Sequence, residues 1–337
     1  MMTGRLYIDG KDAYKQWGVF VVSGGWNELL AYPALKTVDS NDWQEEDGIE
    51  ADLDNPRLDT KEASLKIAYS GLFSRFIEFV TLLADRGYHD FNCASIGRRF
   101  TLRLTQMPNL DAYKSLGFIT LKLANDFPLR NYTYQAPESS IFSSDDYLID
   151  GKAFTDYGCR ILQGSLSEIM KTANVKTSLI RNINILPGAE YDDDAKITFK
   201  SKDVKLKCLM RAATLAELWR NYDALLYDLI RPEERMLEVS ELEQTFPCYY
   251  KSASVSQFFP DDKIWLEFTL TLTFTHSFRL QGDDFVLASE DGIIIFTEDG
   301  ENAIEMLPNR FFYPSLRFIN DTTALRLTGS GALRFNN

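Results

Sequence analysis

Residues Ile8-Asp9-Gly10-Lys11 return as Ile149-Asp150-Gly151-Lys152, and many of the residues after the first set return, in order, after the second. Trp17-Gly18 is answered by Tyr157-Gly158, Gly24 by Gly164, and Lys36-Thr37 by Lys176-Thr177. Further on, Ser64-Leu65-Lys66-Ile67 is answered by Lys205-Leu206-Lys207-Cys208. The offset moves only from 140 (36 to 176) to 141 (65 to 206). Chance matches between short motifs do not hold register over such a distance, so the chain reads as two tandem copies of one domain. At 337 residues it is longer than one typical domain. The repeat divides it into a first domain over residues 1–130, a linker over 131–146, a second domain over 147–280 and a remainder over 281–337.

Each copy opens with a short strand, Leu6-Tyr7-Ile8 in the first, running into an Asp-Gly turn of the kind that favours positive φ. A second strand follows and stops at glycine: Val19 to Val22 before Gly24-Gly25, and Cys159 to Leu162 before Gly164. Next comes a helix. Phe73, Phe76, Ile77, Val80, Leu83 and Ala84 keep the i, i+3, i+4 spacing of a buried stripe, with Gly87 as the stop. In the second copy Thr214-Leu215-Ala216-Glu217 is a capping box, and Leu215, Leu218, Trp219, Tyr222, Leu225 and Leu226 repeat the stripe up to Pro232. Strands close both copies. Phe100 to Leu104 alternates, as do Ile119, Leu121 and Leu123. The longest alternation runs from Ile264 to Thr275, with Ile264, Leu266, Phe268, Leu270, Leu272 and Phe274 on one face. Its other face carries Trp265, Glu267, Thr269, Thr271, Thr273 and Thr275 and is suited to join a neighbour's sheet or to line a lumen. In the last segment Asp291-Gly292 and Asp299-Gly300 flank a strand at Ile293 to Phe296, and Ala324 to Phe335 adds short alternating strands. The fold class expected is α+β, mainly β: two tandem β-sandwich or split-barrel domains, each with one flanking helix, and a small all-β C-terminal appendage.

The net charge of −13 argues against a nucleic-acid-binding stripe. The acid is concentrated. Asp39, Asp42, Glu45, Glu46, Asp47, Glu50, Asp52 and Asp54 occur with no Lys or Arg among them, and Asp192-Asp193-Asp194 is a shorter run at the comparable place in the second copy. Three readings are open: a solvated loop, a hard-cation site, and a surface that repels polyanions. Asp47-Gly48 lacks the regular calcium-loop frame. With Trp265, Thr269, Thr271 and Thr273, these carboxylates form the candidate lumen or interface surface.

Catalytic constellations are missing from the sequence. It has no G-x-S-x-G, H-E-x-x-H, G-x-x-x-x-G-K-[ST] or G-x-G-x-x-G. Its two histidines, His89 and His276, supply little acid–base or metal chemistry and read as surface or strand-end residues. No catalytic residue, metal or cofactor is therefore expected. Two glycosidase carboxylates leave no sequence signature, so the acidic loops keep a hydrolase open. Cys93, Cys159, Cys208 and Cys248 are scattered, without a C-x-x-C pair, as expected of reduced, buried thiols in a cytosolic product. No apolar leader and no window long enough to span a bilayer occurs, so membrane insertion is not expected.

The order strand, Asp-Gly turn, strand, long loop, strand, helix, strands resembles the fold shared by tailed-phage tail-tube, distal tail and baseplate hub proteins. The opening Leu6-Tyr7-Ile8-Asp9-Gly10-Lys11 with Trp17-Gly18 behind it resembles distal tail proteins in particular. The resemblance covers roughly residues 5–280 and implies two tail-tube-like domains. In distal tail proteins a carbohydrate-binding-like domain usually comes second; here a second copy does, which favours a hub-type arrangement. The resemblance implies a virion structural protein of a phage or prophage tail, assembled in the bacterial cytoplasm and contacting other tail or baseplate proteins. Tubes of this family are sixfold, so three chains with two domains each would give a pseudo-hexameric ring; a homohexamer is the other closed form. DNA would pass its acidic lumen without specific binding. A carbohydrate-binding or adhesin module is the rival reading, and a glycoside hydrolase the next.

Overall fold

Asp9 and Gly10 take φ of 49° and 78°, and Asp150 and Gly151 take 50° and 76°. Two successive left-handed residues make the hairpin turn whose twist matches the flanking strands. The aspartates also act through their side chains. Asp9 Oδ1 accepts from Asp90 N–H at 3.0 Å while Oδ2 meets His89 Nδ1 at 2.7 Å. In the same way Asp150 Oδ1 accepts from Met236 N–H at 2.9 Å and Oδ2 from the Arg235 guanidinium at 2.6 Å. Each turn is thus tied to the strand beside it. His89 stands at a strand end, one of the two places expected for it, and is buried there, where its ring meets Asp9 beneath the turn.

The computed structural model describes residues 2–276 except 86, 107–109, 113–114, 131, 143–145, 177–179, 182–183, 186, 189, 192–196 and 262. Beyond 276 it describes 285–286, 304–307, 315–318 and 324–326. The first half contains β1 (Tyr7–Ile8), β2 (Lys11–Asp12), α1 (Ala13–Trp17), β3 (Val19–Val21), α2 (Asn27–Leu30), β4 (Ser40–Asn41), β5 (Glu50–Ala51) and β6 (Lys61–Ser70). It continues with α3 (Phe73–Asp85), β7 (His89–Cys93), β8 (Arg98–Gln106), β9 (Leu110–Ala112) and β10 (Leu116–Asn125). The second half contains β11 (Tyr147–Ile149), β12 (Lys152–Ala153), β13 (Cys159–Ile161), α4 (Ser165–Met170), β14 (Ile180–Arg181), β15 (Glu190–Tyr191) and β16 (Lys202–Ala212). It closes with α5 (Leu215–Leu229), β17 (Arg235–Val239), β18 (Gln244–Phe259) and β19 (Ile264–Phe274).

The main sheets are antiparallel and follow one order. The first runs β2-β1-β7-β8-β10-β6-β3, with β9 beside β10; the second runs β12-β11-β17-β18-β19-β16-β13. Position by position these are the same strands, down to Leu121 opposite Leu65 and Leu270 opposite Leu206. The fold class is α+β and mainly β, with two β units in tandem. Short helices α2 and α4 add to the one long helix expected in each unit. Phe285–Val286, Ile304–Leu307, Ser315–Phe318 and Ala324–Arg326 form β20 to β23 of a small antiparallel sheet. The strand expected at 293–296 lies outside the described residues.

The long helices cover one face of each sheet. In α5 the expected stripe is buried from Leu218 through Leu226, and Thr214 Oγ1 accepts from Glu217 N–H as the cap. In α3 the stripe is rotated from the one expected. Phe76, Phe79 and Leu83 are buried, Phe76 stacked on Tyr69 and Phe79 against Trp17, while Phe73 and Ile77 are exposed. An i, i+3, i+7 line suffices because α1 and β6 present two large rings there. In β19 the alternation holds from Leu266 to Leu272 and ends at Thr273, which is buried like its neighbours. The linker is tied to α5 instead of hanging free: Glu138 N–H donates to Asn221 Oδ1 and Asn221 Nδ2 donates back to Glu138 O, both at 3.0 Å.

Candidate functional site

The densest convergence of specific side chains lies where the two halves meet. Three parts of the first half reach into the second. The first is the segment after α2. Tyr32 stacks on Tyr222 with centroids 4.0 Å apart and meets Tyr250 and Phe268 edge-on. Its hydroxyl donates to Tyr222 O at 2.5 Å, Tyr222 donates to Leu30 O at 3.0 Å, and Tyr250 donates to Pro33 O at 2.8 Å. Each of these three buried phenols therefore has an acceptor, as a dry interface requires. Burial raises the pKa of all three well above the ordinary tyrosine value, so they remain neutral donors.

The second part is the turn at Ala94–Ile96 and the residues behind it. Trp219 Nε1 donates to Ile96 O at 2.6 Å. Arg98 lies over the Trp219 ring, 4.4 Å from its centroid, and donates to both Asp223 oxygens at 2.6 and 2.7 Å. Burial opposes the Arg98 charge, but the Asp223 carboxylate outweighs it and the guanidinium pKa rises. Nearby, Lys61 donates to Leu29 O at 2.8 Å. Burial, with the Arg98 charge, lowers its pKa to about 7.

The third part is the acidic loop between Lys36 and Arg57. Its backbone wraps the Lys176 ammonium, which donates to Trp43 O at 2.7 Å, Glu46 O at 2.8 Å and Gly48 O at 2.6 Å, with Asp42 Oδ1 also at 2.6 Å. Asp47 Oδ1 accepts from Phe199 N–H at 2.7 Å, and Gly48 N–H returns to Phe199 O at 2.7 Å. Thr198 Oγ1 donates to Gln44 O, Ile49 N–H to Thr275 O, and Glu233 N–H to Leu53 O. Gly48 has φ 76°, and a Cβ there would lie 1.8 Å from Thr275 O. Only glycine allows this approach.

The sequence-expected surface residues fall into two groups. Asp42 and Asp47 bind the second half, as above. Glu50 accepts from Trp43 Nε1 and Asn41 within the loop, Asp52 Oδ1 accepts from Asp54 N–H, and Asp39 O accepts from Asp52 N–H. Asp39, Glu45, Glu46, Glu50, Asp52 and Asp54 face solvent. On β19, Trp265 stacks on Phe259, Thr269 and Thr271 are half-buried, and Thr273 is buried, donating to Asp203. Asp192, Asp193 and Asp194 lie outside the described residues.

Chemistry of other kinds is sparse. Among the described residues no group of three His, Cys, Asp or Glu is placed to hold a metal. All four cysteines are buried and unbridged. Burial raises Cys93 to about 12 and also raises Cys248, which keeps both as thiols. Asp228 accepts from Tyr157 at 2.6 Å and Lys152 at 2.9 Å and pairs with Arg231, a network that ties α5 to the second Ile-Asp-Gly-Lys. No described helix is long and apolar enough to cross a membrane.

Sequence reasoning marked Lys176 only as half of a repeated Lys-Thr, and passed over Tyr32, Arg98 and Asp223. Pro33 after an aromatic was the one local cue at Tyr32, since proline favours an extended residue before it.

No family model matches the chain, and no curated protein matches it. Among solved structures, one match is the Dit protein of phage SPP1, described as a paradigm of hub adsorption apparatus in Gram-positive infecting phages. The two are 17% identical with a TM-score of 0.29, over 38% of this chain and 49% of that one. The chain thus matches about half the length of that protein.

Proposed function

We propose that this chain is a structural, non-enzymatic part of a phage or prophage-derived tail tip or baseplate. In this reading residues 1–130 and 147–280 are copies of one tail-tube-like domain, and three chains close a ring of six that joins tube to hub or spike. The observation that carries it is the sense of the junction. Two units of one strand order meet through different faces: the first offers α2, the Ala94–Ile96 turn and the acidic loop, and the second receives them on α5, β18 and the Lys176 region. A contact between unlike faces is heterologous, and repetition of a heterologous contact makes a ring or a filament. The solvent-facing acids of the loop and the net charge of −13 suit a lumen through which DNA slides without adhering. Negative-stain images of the purified chain test the reading. Closed rings of six similar lobes are expected, with twelve lobes marking the homohexamer; open filaments or single bilobed particles at every concentration would contradict it.

A further inference from the structure

Among the described residues, the contact that joins the halves within one chain leaves one face of each half uncovered. The strand order, the bridges Leu35–Leu58 and Val175–Phe199, and the stripes of α3 and α5 align the halves residue by residue. Phe73 then stands where Leu215 stands, Ile77 where Trp219 stands, and Lys36 where Lys176 stands. Trp219 and Lys176 are buried under the first half, but Ile77 is 45% exposed, and Phe73 and Lys36 are exposed with it. The second half shows the converse. Leu30, whose carbonyl accepts from Tyr222 of the second half, is 3% exposed, whereas its counterpart Met170 is 50% exposed; Val175, the counterpart of the half-buried Leu35, is 42% exposed. Isolated exposed apolar residues are ordinary; these coincide with positions that the other half covers.

We infer that the outer face of α3, with Phe73, Ile77 and Lys36, docks the Met170, Val175 and Leu242 face of a second copy of this chain. This rests on the ring reading and assigns the surface that closes the ring. The new contact repeats the internal one with several losses, the first being that Ile77 stands where Trp219 donates to Ile96 O. Thr172 replaces the Tyr32 anchor, and Gln244 with Thr81 replaces the Arg98–Asp223 ion pair. It is therefore weaker than the internal junction and less sensitive to salt. The chain stays whole while rings form and dissociate with concentration.

Internal geometry supplies the test. A Cβ built on Gly97 lies 3.6 Å from Leu215 Cβ, within disulfide reach. By the alignment, Glu243 and Phe73 of different chains come equally close. Phe73→Cys and Glu243→Cys, made as separate full-length variants, are mixed under mild oxidant; the native thiols are buried. A disulfide-linked dimer is expected from the mixture and from neither variant alone. Ile77→Asp should raise the concentration needed for assembly on the order of tenfold or more, with an unchanged melting curve, because Ile77 is exposed in the single chain. If the wild-type chain assembles but the mixture does not cross-link and Ile77→Asp assembles normally, the surface is wrongly assigned while the ring reading stands. If the wild-type chain never assembles, the ring reading fails and takes this surface with it.

Discussion

Single residues decide how firmly the acidic loop is held. The Lys176 ammonium is buried among three carbonyls and one carboxylate, so Lys176→Met leaves them facing an apolar side chain. A loss on the order of 3 kcal/mol is expected, read as a lower urea midpoint, while Lys36→Met, at the exposed counterpart, leaves the midpoint of the dissociated chain unchanged. Gly48→Ala should free the loop by a different route, through contact with Thr275 O, and increased protease cleavage within residues 40–54 reports it. Lys61 gives the junction a pH dependence. Its folded pKa is about 7 against an ordinary 10.5, so between these values the unfolded chain holds the extra proton. Stability should rise from about pH 7 towards pH 10 and be flat below 7. Urea midpoints across this range should lose the rise in Lys61→Met; an equal rise in both proteins would assign it to another group.

At the scale of elements, Tyr32 and α5 carry the coupling between the halves. Tyr32→Ala removes a fully packed ring and should cost about 3–5 kcal/mol. It should also separate one cooperative melting transition into two, visible by calorimetry, since the segment after α2 is the deepest link between the sheets. Here the limits of the sequence are plain. The hairpins at Asp9 and Asp150 and the strand at Ile264 were legible because turn chemistry and period-two patterning are local. The stripe of α5 was legible because all its apolar positions are used, some by the sheet and some by the other half. The stripe of α3 was misjudged for the same cause: Phe73 and Ile77 fit the helical period, yet both remain exposed, Phe73 meeting only the Tyr69 and Phe76 rings, at a tilt, among the described aromatic contacts. Periodicity reports which residues seek cover and is silent on whether the cover comes from the same chain. The burial of His89 at its strand end carried no local signal because its partner, Asp9, is remote in sequence. Lys176 carried no local signal, since three of its acceptors are backbone oxygens.

For the whole molecule, two units of one topology joined head to tail account for the duplicated motifs, the docked acidic loop and the unused apolar faces. On the proposed ring reading further copies dock on those faces, and without the Tyr32 anchor or the Arg98–Asp223 pair between chains the assembly should depend on concentration more than on salt. The most direct test is the mass of the purified chain in solution by sedimentation, followed from micromolar to millimolar concentration. The account predicts a species of three chain masses that grows in with concentration and persists when salt is raised, with six masses for the larger closed ring. A single chain mass across the whole range would contradict it.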